Sequence, residues 1–253
     1  MNDSSNIPYL TTAQMQEVDR LMIEDYGITL PQMMENAGRN LAHLARARFL
    51  DGDPVGKCVV VLAGSGGNGG GALVAARRLH GWGAHVQVIL TQTPEALQGA
   101  SAQQAAILQQ LGIALIQTDA LPEGWEPALI LDGVIGYGLT GAPRCAAAAL
   151  IRWANAQTAP LLALDVPSGV DATTGEVRPP AIRADATLTL ALPKTGLSAP
   201  EAQDHVGALY LADIGVPPVL YARLGFDVGP IFAHEEIVPL NPTFPHRYEG
   251  DIP

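Results

Sequence analysis

Positive charge is scarce in this chain. Its 253 residues carry 14 Lys and Arg against 25 Asp and Glu, a net charge of -11. Nucleic acid and anionic membranes are held by clustered cations, so neither is expected as a partner. No run of 18 apolar residues occurs, and no membrane span is expected. The opening MNDSSNIPYL lacks the basic-then-apolar order of a secretory leader. There are only two cysteines, Cys58 and Cys145, far apart and in no metal or redox spacing, so both read as buried or incidental thiols. A reducing, cytoplasmic setting is the expectation. Charged residues of all kinds make up just 15% while hydrophobic residues reach 48%, which allows a sizeable core and excludes disorder.

Several catalytic signatures are absent as well. No Lys-Ser or Lys-Thr follows the glycines where a P-loop needs it, and there is no Gly-x-Ser-x-Gly nucleophile elbow. His234 and Glu235 begin H-E-x-x-H, but position 238 is valine, so a zincin site is excluded.

What is present is an alternation of buried-strand and helix patterns. LTTAQMQEVDRLMIEDYG reads as a helix, with Thr11 and Gln14 spaced for a capping box, an apolar stripe of Met15, Val18, Leu21 and Met22, and Gly27 at its end. A second helix spans PQMMENAGRNLAHLARARFL, with Pro31 suited to its first turn. Then follow VVVLA as a strand, a glycine loop, a helix from ALVAARRL, and strands at HVQVIL, ALIQT, ALILD, PLLALD, ATLTLAL and ALYLADI. Further helices lie around 97–112 and at AAAALIRWANA. Such alternation predicts an α/β fold with a mostly parallel central sheet covered on both faces. One domain over 1–253 is expected: N-terminal helices at 10–50, a core at 57–217, and an irregular tail from about 238 that holds Pro239, Pro242, Pro245 and Pro253.

Ligands of open parallel sheets sit outside the carboxyl ends of the strands. After VVVLA stands GSGGNGGG; after ALIL, Asp132 and GVIGYGLTGAPR; after PLLAL, Asp165 and VPSGVDATTG. Gly64, Gly66 and Gly69 spell the dinucleotide fingerprint, but the acid it requires at the end of the next strand is missing, for HVQVIL runs into Thr91, Gln92 and Thr93. Ordinary hydride transfer is therefore disfavoured. A lone acid at a strand end is commonly a helix cap; two in parallel positions, each before a glycine loop, point to function.

MENAGRNLA, AGSGGNGGGALVAARRL, LDGVIGYGLTGAPR, LALDVPSGVDATTGEV, ADATLTLALPKTGL and ADIGVP follow one another in this order. Together they resemble the NAD(P)H-hydrate epimerase family, the YjeF N-terminal domain, over about residues 10–240. The resemblance implies a Rossmann-like three-layer α/β/α sandwich that interconverts the R and S forms of hydrated NADH and NADPH. It implies potassium as cofactor, held by oxygens of Asn68, Asp132 and Ser168. It implies substrate binding by Gly67, Asn68, Gly69, Gly70 and Gly71, by Gly136, Tyr137, Gly138, Leu139, Thr140, Gly141 and Ala142, and by Asp165, which would also be the acid/base. It implies a functional partner in a separate dehydratase, and a possible homodimer. The family's usual GNNGGDG appears here as GGNGGGA: Gly67 replaces the first Asn, Gly71 the Asp, and Ala72 the last Gly. Tyr137 stands where the family has Thr. The alternative reading is a member that keeps the pocket as a nucleotide-like ligand-binding or dimeric interaction module without the reaction.

Overall fold

Alternate residues of the apolar strands decide the layers. In the computed structural model, which describes residues 7–117 and 126–241, one eight-stranded sheet runs in the order β3-β2-β1-β4-β5-β6-β7-β8. Its strands are β1 (Cys58–Ala63), β2 (His85–Leu90), β3 (Leu115–Gln117), β4 (Leu129–Gly133), β5 (Leu161–Leu164), β6 (Ala186–Leu190), β7 (Ala208–Ala212) and β8 (Ile237–Asn241). All pair in parallel except β8, which lies antiparallel to β7. The helices are α1 (Thr12–Arg20), α2 (Leu30–Phe49), α3 (Gly67–Gly81), α4 (Gly99–Gln110), α5 (Cys145–Asn155), the four-residue α6 (Gln203–Val206) and α7 (Pro218–Arg223).

Val59, Val61 and Ala63 of β1 point into a core shared with α2, α3 and α4, through residues such as Leu41, Leu73 and Leu108. Val60 and Leu62 point the other way, onto Leu150, Ile151 and Ala154 of α5. Strands buried on both faces need no polar alternation, hence their unbroken apolar runs. The three-layer α/β/α sandwich with a mostly parallel sheet is thus the fold.

A third cluster lies beyond the carboxyl edge of the sheet, where Met15, Val18, Leu21 and Met22 pack with Leu192, Ile214 and Leu220. The α1 cap forms as its spacing predicts: Thr11 Oγ accepts from the Gln14 N–H, and Gln14 Oε1 accepts from the Thr11 N–H at 2.8 Å. The chain continues past α1 as a single π-helical segment, Leu21–Asp25, before Gly27 turns it at φ 67°. A second capping box, Thr29 with Gln32, opens α2.

Two expectations are corrected. Gly67–Gly71 are not a loop but the first turns of α3. Residues 238–241 are not irregular: they belong to β8, and Pro239 pairs with Tyr210 beside a register shift. An edge strand tolerates the missing N–H. Residues 242–253 of the expected tail, with Pro242, Pro245 and Pro253, lie outside the described residues, as does Thr118 of the predicted ALIQT strand.

Candidate functional site

The sheet order reverses direction between β1 and β4, and the crevice at such a switch point is where open α/β sheets hold ligands. The backbone there is packed to the limit. A Cβ on Gly64 would stand 2.0 Å from the Val134 carbonyl oxygen, and one on Gly69 would stand 1.9 Å from that of Gly64. One on Gly38 would meet the Gly71 oxygen at 2.4 Å, so α2 and α3 touch backbone to backbone. These contacts explain why glycine opens a helix against its propensity. Gly66 and Gly67 differ: a Cβ on Gly66 would meet nothing within 4 Å, and one on Gly67 would meet only side-chain tips at 3.9 Å. Gly66 caps α3 without a side-chain acceptor, so the first N–H groups of the helix face the crevice bare.

That crevice is a cavity of about 710 Å³. Gly67, Asn68, Gly136, Tyr137, Gly138 and Asp165 line it; Gly69, Gly70 and Gly71 do not, since they pack inside the fold. Position 71, where the family carries Asp, faces Leu164 and Ala37. Leu139, Thr140, Gly141 and Ala142 lie farther along the same loop and do not line the cavity. The opposite wall comes from α1 and α2, with Met15, Asp19, Met33 and Met34. Thioethers on flexible stems suit a wall that must fit an irregular ligand.

Beneath the wall lies Asp132, wholly buried at the end of β4. Its Oδ1 accepts from the Val134 N–H at 3.1 Å and the Ser168 hydroxyl at 2.7 Å, and its Oδ2 accepts from the Ser168 N–H at 2.9 Å. Burial pushes its carboxyl up to about 6 against these bonds. The Ser168 Oγ accepts from the Ile135 N–H at 2.8 Å, and a Cβ on Gly136 would lie 3.2 Å from the Asn68 Oδ1. Asn68, Asp132 and Ser168 are therefore joined through the short segment 134–136. No Lys or Arg among the described residues pairs with Asp132, and the Asn68 amide nitrogen is buried without a partner. Oxygen donors around a buried carboxylate that lacks a cation suit a hard monovalent ion.

Asp165, 3% exposed, sits at φ 68° just past β5. Left-handed backbone is unfavourable for any residue with a Cβ, and such strain gathers at functional sites. Its N–H donates to the Leu188 carbonyl at 2.7 Å, which fixes the turn. Its carboxylate forms an ion pair with Lys194 and accepts from the Leu190 N–H at 3.3 Å. Lys194 is completely buried, and its ammonium also donates to the Leu190 carbonyl at 2.7 Å and to the Thr189 hydroxyl at 3.3 Å. Across the cavity the Tyr137 hydroxyl donates to Asp19. Burial pushes Asp19 up, opposed by that bond; burial, then Asp19, pushes the Tyr137 phenol up.

Lys194 and Asp19 escape a reading by strand ends. The signal for Lys194 was a lone cation inside ADATLTLALPKTGL. For Asp19 it was an acid one position past Val18 of the apolar stripe.

Comparison with known proteins gives a consistent picture. The pattern of YjeF-related protein N-termini matches residues 30–196. An NAD(P)H-hydrate epimerase of Dehalogenimonas lykanthroporepellens is 44% identical over 216 residues, 85% of each chain. The bifunctional NAD(P)H-hydrate repair enzyme Nnr of Salinibacter ruber is 39% identical over 85% of this chain, which spans 42% of that longer protein. Among solved structures, yeast YNL200c superposes with a TM-score of 0.77 at 25% identity, covering 92% of this chain and 100% of the yeast chain.

Proposed function

The chain belongs to the family of YjeF-related protein N-termini, and from that premise we propose that it is an isomerase, interconverting the R and S forms of hydrated NADH and NADPH. One observation carries this reading at the site: an ion-paired carboxylate, Asp165 with Lys194, opens onto a crevice walled by bare backbone at the sheet's switch point. An anionic dinucleotide meets few free cations there. The uncapped first turn of α3, at Gly66, Gly67 and Asn68, and the backbone at Gly136 and Gly138 would hold its phosphates and ribose by N–H groups and helix dipole.

Asp165 would touch the hydrated nicotinamide ring and move a proton to or from the C6 hydroxyl or the ring nitrogen as the stereocentre is lost and remade. Lys194 holds that carboxylate in one orientation, and the turn at φ 68° aims it out of the sheet. Potassium would be held by oxygens of Asn68, Asp132 and Ser168, a reading supported by the buried carboxylate without a cation. When bound it supplies a positive charge under the cavity wall. The longer relatives are named bifunctional repair enzymes, and this chain spans 42% of one of them. A dehydratase acting on the same hydrates is the fitting functional partner, in the cytoplasm, and pairing of two copies would be compatible with the fold.

The test is direct. The pure R epimer of hydrated NADH is incubated with the protein, with potassium or without, and the S epimer is followed by chromatography. Acceleration over the spontaneous rate, abolished in Asp165→Asn, is expected. A folded protein that gives no acceleration is a binding module and not an enzyme.

A further inference from the structure

We propose that Asp19 is the second acid/base of this pocket, acting on the face of the hydrated ring opposite Asp165. The inference rests on the epimerase reading above. Remaking a stereocentre on either face requires a proton at one face and a proton acceptor at the other, and Asp165 alone supplies one group.

The geometry points to Asp19. Met15, Asp19 and Ile23 recur at helical spacing and line one wall of the cavity, so Asp19 is the charged exception on an apolar face. The cation next to it in sequence, Arg20, turns outward, where it pairs with Glu17, Glu24 and Asp25. No ion pair from a described residue reaches Asp19; its hydrogen-bond partner is the Tyr137 hydroxyl. A strap between α1 and the 134–142 loop needs no acid, since a neutral amide would accept from a phenol without the penalty of burying a carboxylate. The groups that face Asp19 are Tyr137 from the loop after β4, Asp165 after β5, Lys194 after β6 and Tyr221 on α7. Two carboxyls in one pocket, one in an ion pair and the other beside a phenol, have the unequal settings that separate an acid from a base. Burial, which pushes Asp19 up, agrees with the acid role.

The step balances without any oxidant or reductant. The C6–O bond of the hydrated ring breaks as Asp19 gives its proton to the leaving hydroxyl, which departs as water. The lone pair on the ring nitrogen becomes the second C6–N bond. Water then adds to the other face of C6, the nitrogen regains its pair, and the surplus proton passes to Asp165. One proton has crossed the ring, and exchange with solvent restores both carboxyls. The reverse reaction retraces the same path.

Asp19→Asn keeps an acceptor for Tyr137 and removes the proton. With the R epimer of hydrated NADH as probe, kcat is expected to fall about 10²–10⁴-fold, with KM within a few-fold and the melting temperature unchanged. The alkaline limb of the wild-type pH–rate profile disappears in this variant. Tyr137→Phe removes a donor that favours the ionised form of Asp19, so its alkaline limb moves to higher pH. In water labelled with oxygen-18, label enters at C6 with every epimerisation. If the wild type is active and Asp165→Asn dead, but Asp19→Asn keeps its rate and profile, the inference is overturned and the epimerase reading stands. Epimerisation without label has the same consequence. Should Asp19→Asn not fold, an unmoved limb in Tyr137→Phe overturns it. A folded wild type without activity removes both readings.

Discussion

Lys194 has no exposed surface, and its ammonium finds Asp165, the Leu190 carbonyl and the Thr189 hydroxyl. Taking one partner from a buried pair leaves an uncompensated charge, worth about 3–5 kcal/mol. Lys194→Met is therefore expected to lower stability in denaturant titration by that amount. A double change, Lys194→Met with Asp165→Asn, recovers part of the loss because no unpaired carboxylate remains. An equal loss in single and double variants would show that the ammonium's other two bonds carry the stability. At this scale the sequence was only half legible. Asp132 and Asp165 could be read because each ends an apolar run, and strand ends are where parallel sheets place their chemistry. Their partners could not: Lys194 stands 29 residues from Asp165 and Tyr137 stands 118 from Asp19, contacts that no local pattern announces.

Among elements, the fit of α3 against β4 depends on one exchanged methyl group. A Cβ on Gly133 would stand 2.4 Å from the Ala72 Cβ and 3.2 Å from two carbonyl oxygens. Gly133→Ala is expected to cost about 1–3 kcal/mol, as overpacking does. Ala72→Gly in the same chain should return most of it, since the two sites compete for one volume. Additive losses in thermal melts of the single and double variants would contradict this. The start of α3 was illegible for the same reason. Five of its first residues argue against a helix by propensity, being Gly67, Gly69, Gly70 and Gly71 with Asn68 among them, and tertiary contact overrides them. The Thr11–Gln14 cap and the apolar stripe of α1 needed no tertiary knowledge, because both are set within a turn or two of helix.

For the whole molecule, the mostly parallel pairing and the two buried faces follow from runs such as CVVVLA, LILDG and LLAL, each too apolar for a one-sided sheet, whereas the strand order comes from the fold alone. The last strand was missed because Pro239 reads as a breaker until an edge position makes its missing donor harmless. The proposed ion bears on the stability of the entire fold, because a ligand of the folded state alone shifts unfolding by mass action. Potassium at about ten times its Kd is expected to raise the melting temperature by about 3–6 °C over tetramethylammonium at equal ionic strength. Asp132→Asn should erase the difference; a shift that survives it would place the ion elsewhere.

The edge position of Pro239 also limits how copies of this chain can meet. One border of the sheet, β3, is three residues long; the other is β8, where proline interrupts the row of donors and the register against β7 is irregular. Among the described residues neither border offers a long, regular template to a foreign strand. Runaway fibre growth by strand addition along these borders is thereby discouraged.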